Sequence, residues 1–232
     1  MIKLIRGLGR QAPDEPLEYI TPDAMSELEK RASAYGLSMK DLMENAGRGV
    51  AEIVVSRFNA AERVCVVCGG GNNGGDGLVA ARYLSARFKV EVILLTTPEK
   101  IRTEEARANW RALERTDAEL RVVDTAAALA EESARIAVAD VIVVAMFGTG
   151  VKGGVVKEPY ATAISMVNSS KGVKVAIDLP SGIDPATGAA SLPSVRADVT
   201  VALHLPKVGL RGRGEFTGEV VVVPIGIKGD AR

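Results

Sequence analysis

Apolar residues recur at helical spacing in the first readable part of the chain. Thr21 followed by Pro22 is typical of a helix start, because threonine caps free N–H groups and proline suits the first turn, and Gly36 marks the end of that helix. A second apolar stripe covers residues 41–58, with Ser38 in position to cap it. The pattern therefore predicts two consecutive amphipathic helices.

After residue 59, short apolar runs rich in β-branched residues alternate with amphipathic segments. The runs VIVVAM at 141–146 and VVVV at 220–223 are apolar throughout, as expected for strands buried on both faces. This alternation predicts an α/β fold in which helices cover both faces of a mostly parallel sheet. The predicted strands are 63–68, 89–95, 120–123, 140–146, 173–177, 198–203 and 219–223, and the predicted helices between them are 77–87, 103–115, 125–134 and 158–169.

Composition and charge argue against a nucleic-acid-binding, secreted or membrane-spanning protein. The 232 residues carry 29 basic and 29 acidic side chains without a long block of one sign, so nothing in the sequence indicates a nucleic acid as partner. Residues 1–20 show no lasting period, and we predict an irregular arm there without the apolar core of a signal peptide. The longest apolar run, 141–147, falls far short of the ~20 residues that cross a bilayer. We therefore expect one cytoplasmic domain over 1–232 that binds neither membranes nor nucleic acid.

Cys65 and Cys68 form a C-x-x-C spacing inside a predicted strand. Residues three apart on a strand point to opposite faces, which disfavours both a disulfide and shared ligation of a metal. We therefore predict two buried core residues and no redox pair.

The first loop with candidate chemistry is GGGNNGGDG at 69–77, which leads from a strand towards a helix. Glycines let the backbone turn tightly and approach a ligand, and a helix N-terminus favours negative charge. The amides and the carboxylate exceed what a purely geometric turn needs, which is the alternative interpretation. The predicted ligand-binding residues of this loop are Asn72, Asn73, Gly74, Gly75 and Asp76.

The second loop is GTGVKGG, which follows a fully apolar strand. It is again rich in glycine and carries one lysine, so it suits a phosphate, although a flexible turn is an equal alternative. Its residues are Gly148, Thr149, Gly150, Val151, Lys152, Gly153 and Gly154.

The third loop, DLPSGID, starts with Asp178 at a strand end, where functional carboxylates of α/β sheets usually lie. Pro180 and Gly182 predict a rigid turn that exposes Ser181. The alternative for Asp178 is a structural Asx-turn.

Two basic candidates lie in ALHLPKVGL. The single histidine, His204, excludes a site with two histidine ligands, and we expect it in a lining or core role. Lys207 is the better candidate for the site, with a solvated surface lysine as the alternative.

Five segments, in order, resemble the NAD(P)H-hydrate epimerase family, also called the YjeF N-terminal domain. They are LMENAG at 42–47, GGGNNGGDG at 69–77, FGTGVKG at 147–153, DLPSGID at 178–184 and LPKVGL at 205–210. The resemblance runs from about residue 21 to 227. It implies a three-layer αβα Rossmann-like fold, a homodimer, and interconversion of the R and S hydrates of NADH and NADPH (NADHX and NADPHX) without a redox cofactor.

The resemblance also implies roles for single residues. Residues 72–76 would hold the substrate, and the 148–154 loop would surround its phosphates. Asp178 would contact the substrate, and we predict that it is the acid/base. Asn73 and Ser181 would ligate a potassium ion.

The chain departs from the family pattern at Val144, where the family usually carries an aspartate that helps to bind potassium. A hard cation without that carboxylate would bind more weakly. The chain also shows no dehydratase domain, so we expect a separate dehydratase protein, or the missing part of a longer chain, as partner.

Two other functions stay open. A dehydrogenase would need a ribose-binding acid at the end of the second strand, where the chain offers Thr96, Thr97 and only then Glu99. A non-catalytic binding module of the same fold is the other alternative, which Val144 favours and the retained Asn73 and Asp178 oppose.

Overall fold

Two helices precede a parallel sheet, as their caps predict. The protein is described by a computed structural model that covers residues 18–148 and 154–227. The Thr21 hydroxyl accepts a hydrogen bond from the Ala24 N–H at the start of the first helix. Ser38 and Asp41 form a reciprocal capping box at the start of the second. These helices are α1 (Pro22–Ala34) and α2 (Met39–Arg57).

Seven strands form one sheet in the order β3-β2-β1-β4-β5-β6-β7, and every neighbouring pair is parallel. The predicted α/β class is thereby confirmed. The order reverses between β1 and β4, and ligands bind at such a switch point, beyond the carboxyl ends of the strands. The strands are β1 (Arg63–Cys68), β2 (Lys89–Leu94), β3 (Glu119–Val122), β4 (Val141–Ala145), β5 (Val173–Ile177), β6 (Val199–Leu203) and β7 (Glu219–Val223).

The helices pack on both faces of the sheet and give three layers. The remaining helices are α3 (Asn72–Leu84), α4 (Glu104–Leu113), α5 (Ala126–Glu131), α6 (Ser133–Val138), α7 (Tyr160–Ser169) and α8 (Gly214–Thr217). The first four helices share one core with the sheet, and α5, α6 and α7 share the other. Cys68 belongs to the first core and Cys65 to the second, so the prediction of two buried cysteines on opposite faces is confirmed.

The boundaries of α3 differ most from the prediction. The helix begins at Asn72, inside the glycine-rich segment, and not at residue 77. A Cβ on Gly74 would collide with the carbonyl oxygen of Gly69, so glycine alone lets the helix start this close to the preceding strand. The segment predicted as a loop is therefore mostly the first two turns of a buried helix.

Smaller differences concern short elements. The predicted helix 125–134 is divided into α5 and α6 at Glu132, whose carboxylate contacts Arg135 and Arg121. The helix α8 has only four residues, too few to show a period. Of the predicted arm, residues 1–17 lie outside the described residues. Its last residue, Ile20, is buried and forms an isolated bridge with Lys207, outside any strand.

The helices of the described ranges include none that is long and apolar enough to cross a bilayer.

The contact between α2 and α3 is unusually close at Gly47. A Cβ placed there would lie 2.6 Å from the carbonyl oxygen of Asp76 on α3, and it would also meet the Val79 side chain. This contact holds the cavity-lining end of α3 against α2.

Replacing Gly47 by alanine sets helix propensity against packing. Alanine favours a helix interior by about 1 kcal/mol over glycine, but a backbone carbonyl cannot rotate away from the added methyl group. We expect the free energy of unfolding to fall by about 1–3 kcal/mol, measured by urea denaturation. As a control, Gly214→Ala introduces its Cβ where no atom lies within 4 Å and should not destabilise the protein. Equal stability of both variants would contradict the packing argument.

Candidate active site

A cavity of about 480 Å³ lies at the carboxyl ends of the central strands, under α1 and α2. Its volume is typical of sites for small molecules. The two helices contribute mostly apolar side chains, whereas the strand ends and α3 contribute polar ones. The lining residues are Pro22, Met25, Ser26, Glu29, Met39, Leu42, Met43, Ala46, Gly71, Asn72, Asn73, Asp76, Arg102, Thr103, Phe147, Gly148, Asp178, Leu203, Lys207 and Ile225.

The first turns of α3 bring three predicted residues to the cavity: Asn72, Asn73 and Asp76. Gly74 and Gly75 are buried in the same helix and do not line the cavity; the space of a Gly75 Cβ is taken by the Met43 side chain. The glycines therefore allow the close packing that positions the polar residues beside them.

Asn73 links α3 to the end of β5. Its amide nitrogen donates to the carbonyl oxygen of Ile177 at 2.8 Å. Its amide oxygen is buried and has no hydrogen-bond partner among residues 18–148 and 154–227. Gly148, the one residue of the second loop seen to line the cavity, lies directly against this side chain. A buried acceptor without a donor is costly, which makes this oxygen a candidate contact for a ligand.

Asp178 is held in a strained turn at the end of β5. Its φ is 67°, and the Leu179 N–H donates to the Ile177 carbonyl two residues back, the hydrogen bond of a classic γ-turn. The turn aims the carboxylate at the cavity, where it also accepts from the Leu203 N–H at 3.3 Å. Backbone strain of this kind persists only where surrounding contacts enforce it.

Lys207 provides the strongest of those contacts. It is only 2% exposed, and its Nζ lies 2.6 Å from the Asp178 carboxylate. The same ammonium is 3.4 Å from the carbonyl oxygens of Leu203 and Leu205. The interpretation of Lys207 as a site residue fits the structure, and the alternative of a solvated surface lysine is wrong.

A second γ-turn directs the chain from β6 to Lys207. His204 has a φ of 65°, and the Leu205 N–H donates to the Leu203 carbonyl. The half-buried His204 side chain does not line the cavity, and burial followed by the nearby Lys207 charge lowers its pKa. His204 is therefore a structural residue of the turn and does not form part of the cavity wall.

The chain before α1 is bonded to both neighbours of Lys207. The Ile20 N–H donates to the Pro206 carbonyl at 2.9 Å, and the Val208 N–H donates to the Ile20 carbonyl at 2.9 Å. This tether, residues 20 and 206–208, fixes the start of α1 beside the buried lysine.

Three carboxyl groups and two cations face the cavity. Burial raises the pKa of Asp76 well above its ordinary value; the negative charges of Asp178 and Glu29 raise it further, and Lys207 opposes them. Burial also raises the pKa of Glu29. Burial thus keeps Asp76 protonated to a higher pH than an ordinary aspartate.

Sequence reasoning missed Glu29, Arg102 and Thr103 as cavity residues. Arg102 is exposed at the mouth, with its guanidinium over Gly71, and the parts of the chain that the structure describes give it no ion pair. Thr103 precedes α4, and its buried hydroxyl has no partner within the same parts. Only the capping pattern before α4 could have pointed to this position, whereas Glu29 looks like an ordinary helix glutamate.

The structure corrects the prediction for Ser181. The side chain is 1% exposed, not displayed on the turn, and its hydroxyl is bonded to the backbone N–H and carbonyl of Phe147. Residues 149–153 of the second loop, Thr149, Gly150, Val151, Lys152 and Gly153, lie outside the described residues. Gly154 is described and does not line the cavity.

The described residues do not make up a complete potassium site. Asn73 offers one unpartnered amide oxygen, the Ser181 hydroxyl is already bonded, and Val144 is an apolar, fully buried side chain of the second core. Within those residues, no three His, Cys, Asp or Glu side chains are grouped to hold a metal ion. A hard cation needs several oxygen ligands, and these residues offer too few.

Comparison with known proteins identifies relatives over most of the chain. A family model described as YjeF-related protein N-terminus matches residues 39–209. The chain is 42% identical over 213 residues to a protein of Cenarchaeum symbiosum named NAD(P)H-hydrate epimerase, covering 91% of this chain and 97% of the relative. It is 44% identical over 219 residues to a bifunctional NAD(P)H-hydrate repair enzyme of Pyrobaculum aerophilum.

The bifunctional relative is a longer protein, since the match covers 93% of this chain but 43% of the relative. A crystal structure of a yeast protein superimposes with a TM-score of 0.73, at 28% identity and 82% coverage of both chains. The family match covers well over half of the chain and includes the glycine-rich segment, Asp178 and Lys207. The chain therefore belongs to the YjeF-related protein N-terminus family.

Proposed function

We propose that this protein is an isomerase that interconverts the R and S forms of NADHX and NADPHX in the cavity at the strand ends. The observation that carries the proposal is the buried Asp178–Lys207 pair facing this cavity. Relatives that share most of the chain's length, from Cenarchaeum symbiosum and Nitrosopumilus maritimus, bear the name NAD(P)H-hydrate epimerase.

The proposed reaction needs proton transfer and no oxidation. Hydration of the dihydronicotinamide ring places the hydroxyl on the carbon bonded to the ring nitrogen. The C–O bond breaks with its electrons on oxygen, the nitrogen lone pair forms a C=N bond, and the departing hydroxyl takes a proton to leave as water. Water then adds to the other face and loses a proton. No redox cofactor is needed, and carboxyl groups can carry both proton transfers.

The rest of the cavity suits the remainder of such a substrate. Arg102 at the mouth is a cation without a protein partner in the described ranges, and α3 directs its N-terminus towards the same space. Both favour a phosphate group. Together with the 148–154 loop, they would hold the nucleotide part of the substrate, while the nicotinamide ring lies at the Asp178–Lys207 pair.

The homodimer and the supply of dehydratase activity by a separate protein are proposed from the family resemblance. The cytoplasmic location is proposed from the sequence. The potassium ion that the resemblance implies is not adopted, because the described residues supply too few free oxygens. The names of the bifunctional relatives support a repair role beside a second activity.

Replacing Asp178 by asparagine should abolish the acid/base function while keeping the shape of the side chain. We expect epimerisation of purified R-NADHX and R-NADPHX, followed by NMR, to fall roughly 10²–10⁴-fold towards the spontaneous rate. Asp117→Asn, at an exposed position just before the edge strand β3 that does not line the cavity, is the matched control and should keep the wild-type rate. Unchanged epimerisation in Asp178→Asn would remove the assignment, and a wild-type protein without acceleration would favour the binding module.

Replacing Lys207 by methionine should leave the Asp178 carboxylate buried without its counter-charge. Removing one partner of such a buried pair costs about 3–5 kcal/mol, and we expect this loss in urea denaturation at neutral pH. The exposed Lys171→Met is the control and should change stability little. A Lys207→Met protein as stable as the wild type would show that the pair contributes no net attraction.

The incomplete set of oxygens predicts little dependence on potassium. We expect the wild-type melting temperature and epimerisation rate to stay the same when sodium replaces potassium. In Val144→Asp, which supplies a carboxylate, potassium should raise the melting temperature because the cation offsets the buried charge. A strong potassium effect on the wild type would instead mean that further oxygens complete the site.

A further inference from the structure

Asp76 is a buried carboxyl group to which the proton transfers described above assign no part. It is 9% exposed and lines the cavity, and the hydrogen bonds among residues 18–148 and 154–227 include none to its carboxyl. A buried ionised carboxylate without donors would be costly, whereas a neutral carboxylic acid is tolerated. Its position therefore suits a carboxylic acid that is protonated and can act as a proton donor.

Asp178 has the opposite surroundings on the same cavity. Its carboxylate contacts the Lys207 ammonium at 2.6 Å and accepts from the Leu203 N–H. A cation and a backbone donor both stabilise the charged form. The two aspartates are supplied by different elements, α3 and the end of β5, yet both face one cavity.

Among the described residues, four charged side chains share the cavity with Asp76, two of them negative and two positive. Asp178 and Glu29 are negative, Lys207 is positive and already bonded to Asp178, and Arg102 stands at the mouth. The α2 residues of the cavity are apolar, and the neighbouring Cys68 has a pKa raised by burial, so it stays neutral. Two carboxyl groups in surroundings that favour opposite protonation states are the usual arrangement of an acid and a base.

From this asymmetry, we infer that Asp76 is a second catalytic residue, which donates a proton to the departing hydroxyl while Asp178 accepts a proton from the incoming water. The inference rests on the proposed function and refines it, because the two proton transfers are divided between two residues. Whether one carboxyl group or two act is decided by experiment on Asp76.

The two proton transfers involve one bond broken and one bond formed at the same ring carbon. In the R-to-S direction, the C–O bond breaks, the hydroxyl takes the Asp76 proton and leaves as water, and the ring nitrogen forms the C=N bond. A water molecule adds to the opposite face, the new C–O bond forms, and its proton passes to Asp178. In the S-to-R direction, Asp178 is the donor and Asp76 the acceptor. Exchange of protons with solvent restores the starting state.

Asp76→Asn is the first test, because asparagine mimics the neutral acid in shape but cannot donate that proton to the hydroxyl. We expect its epimerisation rate to fall roughly 10²–10⁴-fold. Its melting temperature should equal or exceed that of the wild type at alkaline pH: a raised folded-state pKa stabilises the wild type most at low pH, and this stabilisation is lost as pH rises through that pKa. Asp117→Asn is again the matched control.

The pH profile separates catalysis from structure. The wild-type R-to-S rate should decline as pH rises through the pKa of Asp76, since the donor loses its proton, and the residual activity of Asp76→Asn should lack this decline. Glu29→Gln removes one negative charge that favours the protonated Asp76, so the decline should move to lower pH. If Asp76 had only a structural role, neither substitution would change the pH at which the rate declines on the alkaline side (the alkaline limb of the profile).

The measurements on the wild type and on Asp76→Asn test the epimerase function and the role of Asp76 separately. An active wild type with an Asp76→Asn variant of equal rate and unchanged pH profile would overturn the role of Asp76 and leave the epimerase function intact. A wild type that does not accelerate epimerisation at any pH would overturn both. Loss of rate in Asp76→Asn together with loss of the alkaline limb, in a protein that melts normally, is the result that supports the inference.

Discussion

A lysine ammonium and an aspartate carboxylate meet at the floor of the cavity, almost out of contact with solvent, and the surrounding backbone is arranged to keep them there. The 2.6 Å contact between Lys207 and Asp178 requires that the chain leave β5 and β6 through two strained γ-turns, at Asp178 and His204. Neither position is a glycine, so the strain must be offset by bonds that the turns make possible. The Leu203 N–H and two backbone carbonyls provide them.

The glycine-rich start of α3 serves this arrangement from the other side. Because Gly74 has no side chain, the helix starts directly above the end of β1, and Asn73 then reaches the Ile177 carbonyl one residue before Asp178. The same close packing buries Asp76. The glycines place the helix close to the sheet, and the polar residues beside them can then reach the cavity.

The strands were predictable because a parallel sheet buried on both faces needs unbroken apolar runs, and those of β4 and β7 are visible in the sequence. The start of α3 was not, since glycines count against a helix unless close packing demands them. Ser181 was wrongly placed at the surface, because turn chemistry fixes the backbone but not whether another loop covers it. Lys207 could not be decided from sequence, because burial of a charge depends on a partner 29 residues away. Asp178, named from its strand-end position, does lie at the cavity.

The tether at Ile20 bears on how a substrate reaches the floor of the cavity. Two backbone hydrogen bonds join Ile20, two residues before α1, to Pro206 and Val208, so the start of α1 is fastened to the backbone on both sides of Lys207. Lifting α1 at that end would drag the ammonium away from Asp178 and expose both charges, a motion with a high energetic cost. A ligand that reaches the cavity beside Arg102, an exposed lining residue, would leave this tether intact.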